Sequence, residues 1–159
     1  MDRLLNLLYE NARLSNAQIA AMLNVPERKV ADKIKELEDE GIIRGYKALV
    51  NFEKCGNEKV TALIEVKVTP QRDAGFDDIA RRILQFDEVE SIYLMSGGYD
   101  LCLFISGRTF KDVAIFVAKC LAPIEGVNST ATHFVLRKYK DMGVVMCDCE
   151  ADDRGTLSL

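Results

Sequence analysis

Gly97-Gly98-Tyr99-Asp100 sets two glycines beside a carboxylate. Adjacent glycines open the backbone to positive φ and Asp is a common turn residue, so the ordinary reading is a hairpin turn. The same residues hold a second chemistry. Exposed backbone N–H groups suit a carboxylate, and the Asp100 carboxylate suits an ammonium group, which together match a zwitterion. Arg28, Lys29, Lys33 and Lys35 form a second group. Displayed by a helix they suit phosphates or base edges, and otherwise they are a solvated face. Acids interleave them: residues 26–40 hold four Lys/Arg and six Asp/Glu. His133 is the sole histidine. A catalytic base needs an acid or nucleophile partner, and no triad or carboxylate pair accompanies it. His133 therefore reads as a strand-surface or interface residue, and no enzyme is expected. Cys147-Asp148-Cys149 suits a soft metal, but a structural zinc site needs four ligands. The five cysteines (Cys55, Cys102, Cys120, Cys147, Cys149) are odd in number and unevenly spaced, a poor disulfide framework. The expectation is free thiols, with no metal and no cofactor.

The cations sit inside Ser15–Gly41, which reads as helix, turn, helix. Ser15-x-x-Gln18 is a capping box, and Leu14 with Ile19 can form a hydrophobic staple around it. That makes Gln18 a cap rather than a base reader. The first helix spans 16–23. Asn24-Val25-Pro26 interrupts it, because Pro26 lacks an N–H and holds Val25 extended. Pro is also preorganised for the first position of the next helix. Val30, Ile34 and Leu37 share one face of that helix, and Gly41 ends it. The layout fits a helix-turn-helix whose second helix enters the major groove, its N-terminal residues Arg28 and Lys29 nearest the bases. An ordinary αα-hairpin fits it too.

A preceding helix over 2–12 carries Leu4, Leu5, Leu8 and Ala12 on one face. After Gly41, the β-branched and aromatic segment 42–52 predicts a strand. Beyond a linker the periodicity changes. Val60, Ala62, Ile64, Val66 and Val68 alternate over 60–68, which Thr69-Pro70 ends. A helix follows over 75–87, then strands over 89–95 and 101–105 joined by the Gly-rich turn, a helix over 109–121 and a strand over 127–139. The order β-α-β-β-α-β makes a four-stranded antiparallel sheet with both helices on one face. Thr61, Leu63, Glu65 and Lys67 would lie on the uncovered face, and either parity of the last strand would join them. A sheet face too apolar for water meets a partner, here a homodimer partner.

The 159 residues suffice for one ordinary or two small domains. No apolar run approaches the ~20 residues of a membrane span and no secretory signal opens the chain, so a cytoplasmic protein is expected. The formal net charge of −4 is local: residues 1–50 and 51–140 are each balanced, and residues 141–159 hold one Arg and five acids. Global charge neither supports nor excludes a nucleic acid; a local basic face must carry that partner. The last residues, MCDCEADDRGTLSL, are acidic and weakly patterned, which predicts disorder.

The ordered set resembles the Lrp/AsnC (leucine-responsive/asparagine-operon, feast/famine) regulators over residues 1–140. The matching residues are Asp2-Arg3-Leu4-Leu5, Asn11-Ala12-Arg13-Leu14-Ser15, Ile19-Ala20, Val30-x-x-x-Ile34-x-x-Leu37-x-x-x-Gly41-Ile42-Ile43-x-Gly45-Tyr46, Gly97-Gly98-Tyr99-Asp100 and Thr130-x-Thr132-His133-x-Val135-Leu136. The resemblance implies an α+β chain in four parts. These are a tri-helical helix-turn-helix DNA-binding domain over 1–50, a linker over 51–59, a βαββαβ effector-binding and oligomerisation domain over 60–140, and an acidic tail over 141–159. It implies a transcription regulator that binds double-stranded DNA, forms dimers and octamers of four dimers, and senses an amino acid between dimers. Arg28, Lys29, Lys33 and Lys35 would contact DNA. Gly97, Gly98, Tyr99 and Asp100 would contact the effector, with hydroxyls from Thr130 and Thr132. Pro26, Lys29 and Asp32 depart from the Ser, Thr and Arg common in family recognition helices, which points to DNA binding by several dimers together. A small-molecule-binding oligomer with weak DNA affinity and an architectural DNA-binding protein with little effector response are the alternatives.

Overall fold

The structure is a computed structural model that describes residues 3–56, 59–69 and 75–147. The chain divides into two compact units, Met1–Leu49 and Val50–Leu159.

The first unit holds α1 (Arg3–Glu10), α2 (Asn16–Leu23) and α3 (Glu27–Asp39). Leu4, Leu8, Ile19, Ala20, Val30 and Leu37 form its buried core, flanked by Leu5, Leu7, Leu14, Leu23, Ile34 and Ile43. The capping box closes in both directions: Gln18 N donates to Ser15 Oγ at 3.2 Å, and Ser15 N donates to Gln18 Oε1 at 2.8 Å. Asn24 ends α2 in the left-handed region, at φ 55°, which Asn tolerates better than most residues. Pro26 takes the N-cap of α3 rather than its first helical position, with ψ 141°. Gly41, at φ +69°, turns the chain after α3; its N–H donates to Glu38 O, and Ile42 N–H donates to Leu37 O.

The strand expected over 42–52 is not formed. Residues 44–51 have no regular structure, and a short 3₁₀ turn follows at Glu53–Cys55. The segment's side chains suit a strand, but a strand also needs a neighbour for its N–H and C=O groups. Among the described residues no strand pairs with this segment. Ile42, Tyr46, Leu49, Val50 and Phe52 stay exposed.

The second unit runs β1 (Val60–Val68), α4 (Gly75–Ile83), β2 (Val89–Leu94), β3 (Leu101–Gly107), α5 (Phe110–Phe116) and β4 (Val127–Phe134). A π-helical turn, Val117–Leu121, extends α5. The sheet order is β2-β3-β1-β4, and every pairing is antiparallel. Ala62, Ile64 and Val66 of β1 and Leu101, Leu103 and Ile105 of β3 are buried in one cluster with Ile79 and Ile83 of α4 and Val113 and Phe116 of α5. Both helices therefore cover the same sheet face. Gly126 sits at φ +92° where a Cβ would come within 2.8 Å of Ile79 Cδ1. It lets the turn into β4 pass close to α4.

The last strand stops at Phe134, short of the expected 139. Val135 N still donates to Thr61 O, but β1 begins at Val60 and offers no ladder beyond it. A hairpin follows instead, β5 (Lys140–Asp141) with β6 (Val144–Val145), turned by Met142 at φ 44° and Gly143 at φ 87°. The expected acidic tail thus starts within a regular hairpin. Cys147 is disulfide-bonded, contrary to the free-thiol expectation. Asp148, Cys149 and the rest of the tail lie outside the described residues, as do Asp2, Asn57, Glu58 and Pro70.

Candidate DNA-recognition helix and effector loop

α3 turns Val30, Ile34 and Leu37 into the core. At 3.6 residues per turn, Arg28, Asp32 and Lys35 lie on the opposite side. Lys29 and Lys33 lie to one flank, with Glu36 on the same side one turn after Lys33. Arg28 Nε is 3.9 Å from Asp32 Oδ2, and the two side chains are 92% and 74% exposed. Lys33 Nζ donates to Glu36 Oε1 at 2.8 Å. The four expected cations therefore share one helix but not one stripe, and two of them already pair with acids. Near the helix end, Tyr46 Oη donates to Glu38 Oε1 at 2.8 Å. Burial, that hydrogen bond and the Glu38 charge raise the Tyr46 phenol above its ordinary value.

At one end of the sheet, Asp100 ties the Gly-rich turn to β1. Its N–H donates to Val66 O at 3.1 Å, and its carbonyl accepts from Met95 N at 2.8 Å. Its Oδ2 accepts from Val68 N at 2.8 Å. The carboxylate caps β1 where the β1–β4 register shifts, between Lys67 and Val68. Sequence reasoning missed this bond, which joins residues far apart in the chain. Gly97 and Gly98 are exposed and open to solvent, while Tyr99 and Asp100 are half-buried. Thr130 pairs with Val66, and Thr132 with Ile64. Paired residues share a face, so both threonines point to the helix side. Thr130 is thus one strand from the residue that Asp100 holds, with Thr132 one step further in.

The parity of β4 that the sequence left open is now settled. Ser129, Ala131 and His133 join Leu63, Glu65, Cys102 and Phe104 on the uncovered face. His133 Nε2 lies 3.4 Å from Glu65 Oε1. Tyr93 packs edge-on against Phe104, ring centroids 6.5 Å apart. Burial first, then the neighbouring Cys102 and Glu65, raise the Tyr99 phenol above its ordinary value. Burial also pushes the Cys102 thiol up, against a lowering by Tyr99.

At the other end of β1 a cavity of about 460 Å³ opens between Phe52, Lys59, Thr61, Glu90, Phe110 and Arg137. Ser106 Oγ donates to Glu90 Oε1 at 2.7 Å on its wall. It is assembled from segments distant in sequence, so no local motif announced it. Among the described residues no group of three His, Cys, Asp or Glu side chains is placed to hold a metal ion. No helix of the described residues is long and apolar enough to cross a membrane.

Residues 61–145 match the family model for the Lrp/AsnC ligand binding domain, and residues 3–44 match that for a winged helix-turn-helix DNA-binding unit. The chain belongs to the Lrp/AsnC family. One family relative, the HTH-type transcriptional regulator YugG of Bacillus subtilis, is 46% identical over 156 residues, covering 98% of this chain and 94% of the relative. A transcriptional regulator from Neisseria meningitidis, solved in complex with L-Met, is 28% identical with TM-score 0.70, covering 89% of this chain and 93% of that one. Escherichia coli AsnC, at 22% identity and TM-score 0.65 over 87% of this chain and 93% of its own, shares the fold. This Lrp/AsnC member is a DNA-binding transcriptional regulator and not an enzyme.

Proposed function

We propose that this regulator senses an amino acid and that the bound effector changes its assembly and its grip on DNA. Residues 1–50 recognise DNA, and residues 60–140 bind the effector and self-associate. The observation that carries the reading is the turn at Gly97–Asp100. It exposes glycine backbone beside a carboxylate anchored to β1, at the sheet end where Thr130 lies. The L-Met complex of the Neisseria relative supports an amino acid as the ligand class. Gly97 and Gly98 offer N–H groups to an α-carboxylate, and the free oxygen of Asp100 faces an α-ammonium. Tyr99, Thr130 and Thr132 complete the contact set.

Two copies join through the uncovered sheet face, where Leu63, Phe104 and Tyr93 supply apolar area around the Glu65–His133 pair. A dimer sets two α3 helices roughly 34 Å apart, one turn of DNA. Arg28, Lys29, Lys33 and Lys35 supply the positive contacts. An effector held between dimers favours the assembly it binds better, and DNA affinity follows by linkage.

Thermal unfolding in the presence of each of the twenty amino acids tests the sensor. A ligand at ~100 times its dissociation constant stabilises the folded state by about 2.7 kcal/mol. No shift with any of them contradicts amino-acid sensing. Arg28→Ala with Lys29→Ala tests the helix: DNA affinity should drop, and its salt dependence should weaken by about one to two counterions per subunit. Unchanged affinity contradicts the assignment of α3.

A further inference from the structure

Asp32 occupies a place where a carboxylate is unfavourable for DNA unless it has work to do there. It lies on α3 directly opposite Val30, Ile34 and Leu37, between Arg28 one turn before and Lys35 one turn after. The side of a groove-bound helix opposite its own core faces the groove floor, and its flanks face the phosphate walls. Lys29 and Lys33 lie on a flank, towards a wall. Asp32 lies on the floor line, where a carboxylate meets base edges rather than phosphates. On that floor only cytosine, through its N4 amino group, and adenine, through N6, offer a donor to an acceptor-only side chain. Adenine sets an acceptor, N7, beside its donor, which repels a carboxylate.

We propose that Asp32 is a specificity-determining residue that selects cytosine, beside a guanine read by Arg28. The inference rests on α3 being the base-reading helix. Arg28 Nε stands 3.9 Å from Asp32 Oδ2, and both side chains are almost wholly exposed. That spacing sets the guanidinium and the carboxylate side by side on one helix face, with the guanidinium's N–H groups open to guanine O6 and N7. The four residues from Arg28 to Asp32 rise about 6 Å along the helix against about 3.4 Å per base pair, so the two readings fall on separate base pairs one to two steps apart. The acid also repels the phosphates of every non-matching sequence, which lowers background binding while the matched site compensates. The departure at position 32 from family recognition helices thus becomes a source of base preference.

The test is selection from a random-sequence duplex library by the full-length protein and three variants, with circular dichroism to verify folding. The wild type should enrich a half-site with nearby G and C. Asp32→Ala should keep the G, lose the C preference by on the order of tenfold, and bind unselected DNA more tightly. Asp32→Asn should change the C to A, because an amide matches adenine N6 and N7. If both Asp32 variants enrich the wild-type half-site, the inference is overturned. If Arg28→Ala with Lys29→Ala also leaves the half-site unchanged, the failure lies in the reading of α3 itself. If the double variant loses the half-site while the Asp32 variants keep it, only the role of Asp32 fails.

Discussion

Asp100 joins the candidate effector site to β1 through its backbone N–H and one carboxylate oxygen. Its Oδ2 is engaged by Val68 N–H, so Asp100→Ala should lower stability by about 1–2 kcal/mol before any effector is added. Asp100→Asn keeps an acceptor and should lose less; denaturant unfolding of both variants measures the difference. The sequence exposed this residue as a turn former beside two glycines. It did not expose the bond, because the partner lies on another strand. Tyr46 carries a pH dependence of known sign. Its phenol is raised by burial and by Glu38 from an ordinary value of 10.0. The neutral form is favoured in the folded state, so its contribution is whole below pH 10 and fades as pH rises through the raised value. Stability measured between about pH 9 and about pH 11 should fall less steeply in Tyr46→Phe than in the wild type. Cys102 is buried and its thiol is raised, while Cys55 is exposed. Alkylation at neutral pH should label Cys55 quickly and Cys102 only after unfolding. Equal rates would contradict the burial of Cys102.

At the scale of elements, local rules decided most of the helical unit. Ser15 and Gln18 make a two-way cap, and Ser15→Ala should cost about 1 kcal/mol in a thermal or denaturant melt. Alternation over 60–68 was enough to name the buried face, since Ala62, Ile64 and Val66 all lie in the core. The failures share one cause. The segment 42–52 has strand-forming side chains but no ladder partner among the described residues, and residues 135–139 run past the start of β1. Strand propensity states what a segment tolerates, whereas pairing depends on a neighbour that sequence pattern does not supply. Gly126 is the reverse case, a plain loop glycine in sequence that stands against Ile79 in the fold. Gly126→Ala should destabilise the second unit by about 1–3 kcal/mol, because its φ and its space both resist a methyl group.

For the whole molecule, charge balance was legible early and its meaning was not. The net charge of −4 resides beyond residue 140, so it does not weigh against a DNA partner. The helix that would meet DNA mixes cations with acids, and α3 places Asp32 among them rather than at a distance. The surface proposed for self-association is one that no local motif describes. Leu63, Phe104 and His133 come from three strands and meet only after the sheet forms. Phe104→Asp should shift the protein towards monomer in sedimentation velocity and weaken DNA binding with it. A dimer that survives this change would place the interface elsewhere.

On the proposed function, effector binding and DNA binding form one coupled equilibrium in this chain. Its most direct measurement is DNA affinity for a library-selected duplex, at one salt concentration, with and without each amino acid. At least one amino acid should change the dissociation constant by about fivefold or more, and the same amino acid should raise the melting temperature. An amino acid that raises the melting temperature but leaves DNA affinity unchanged would contradict the coupling.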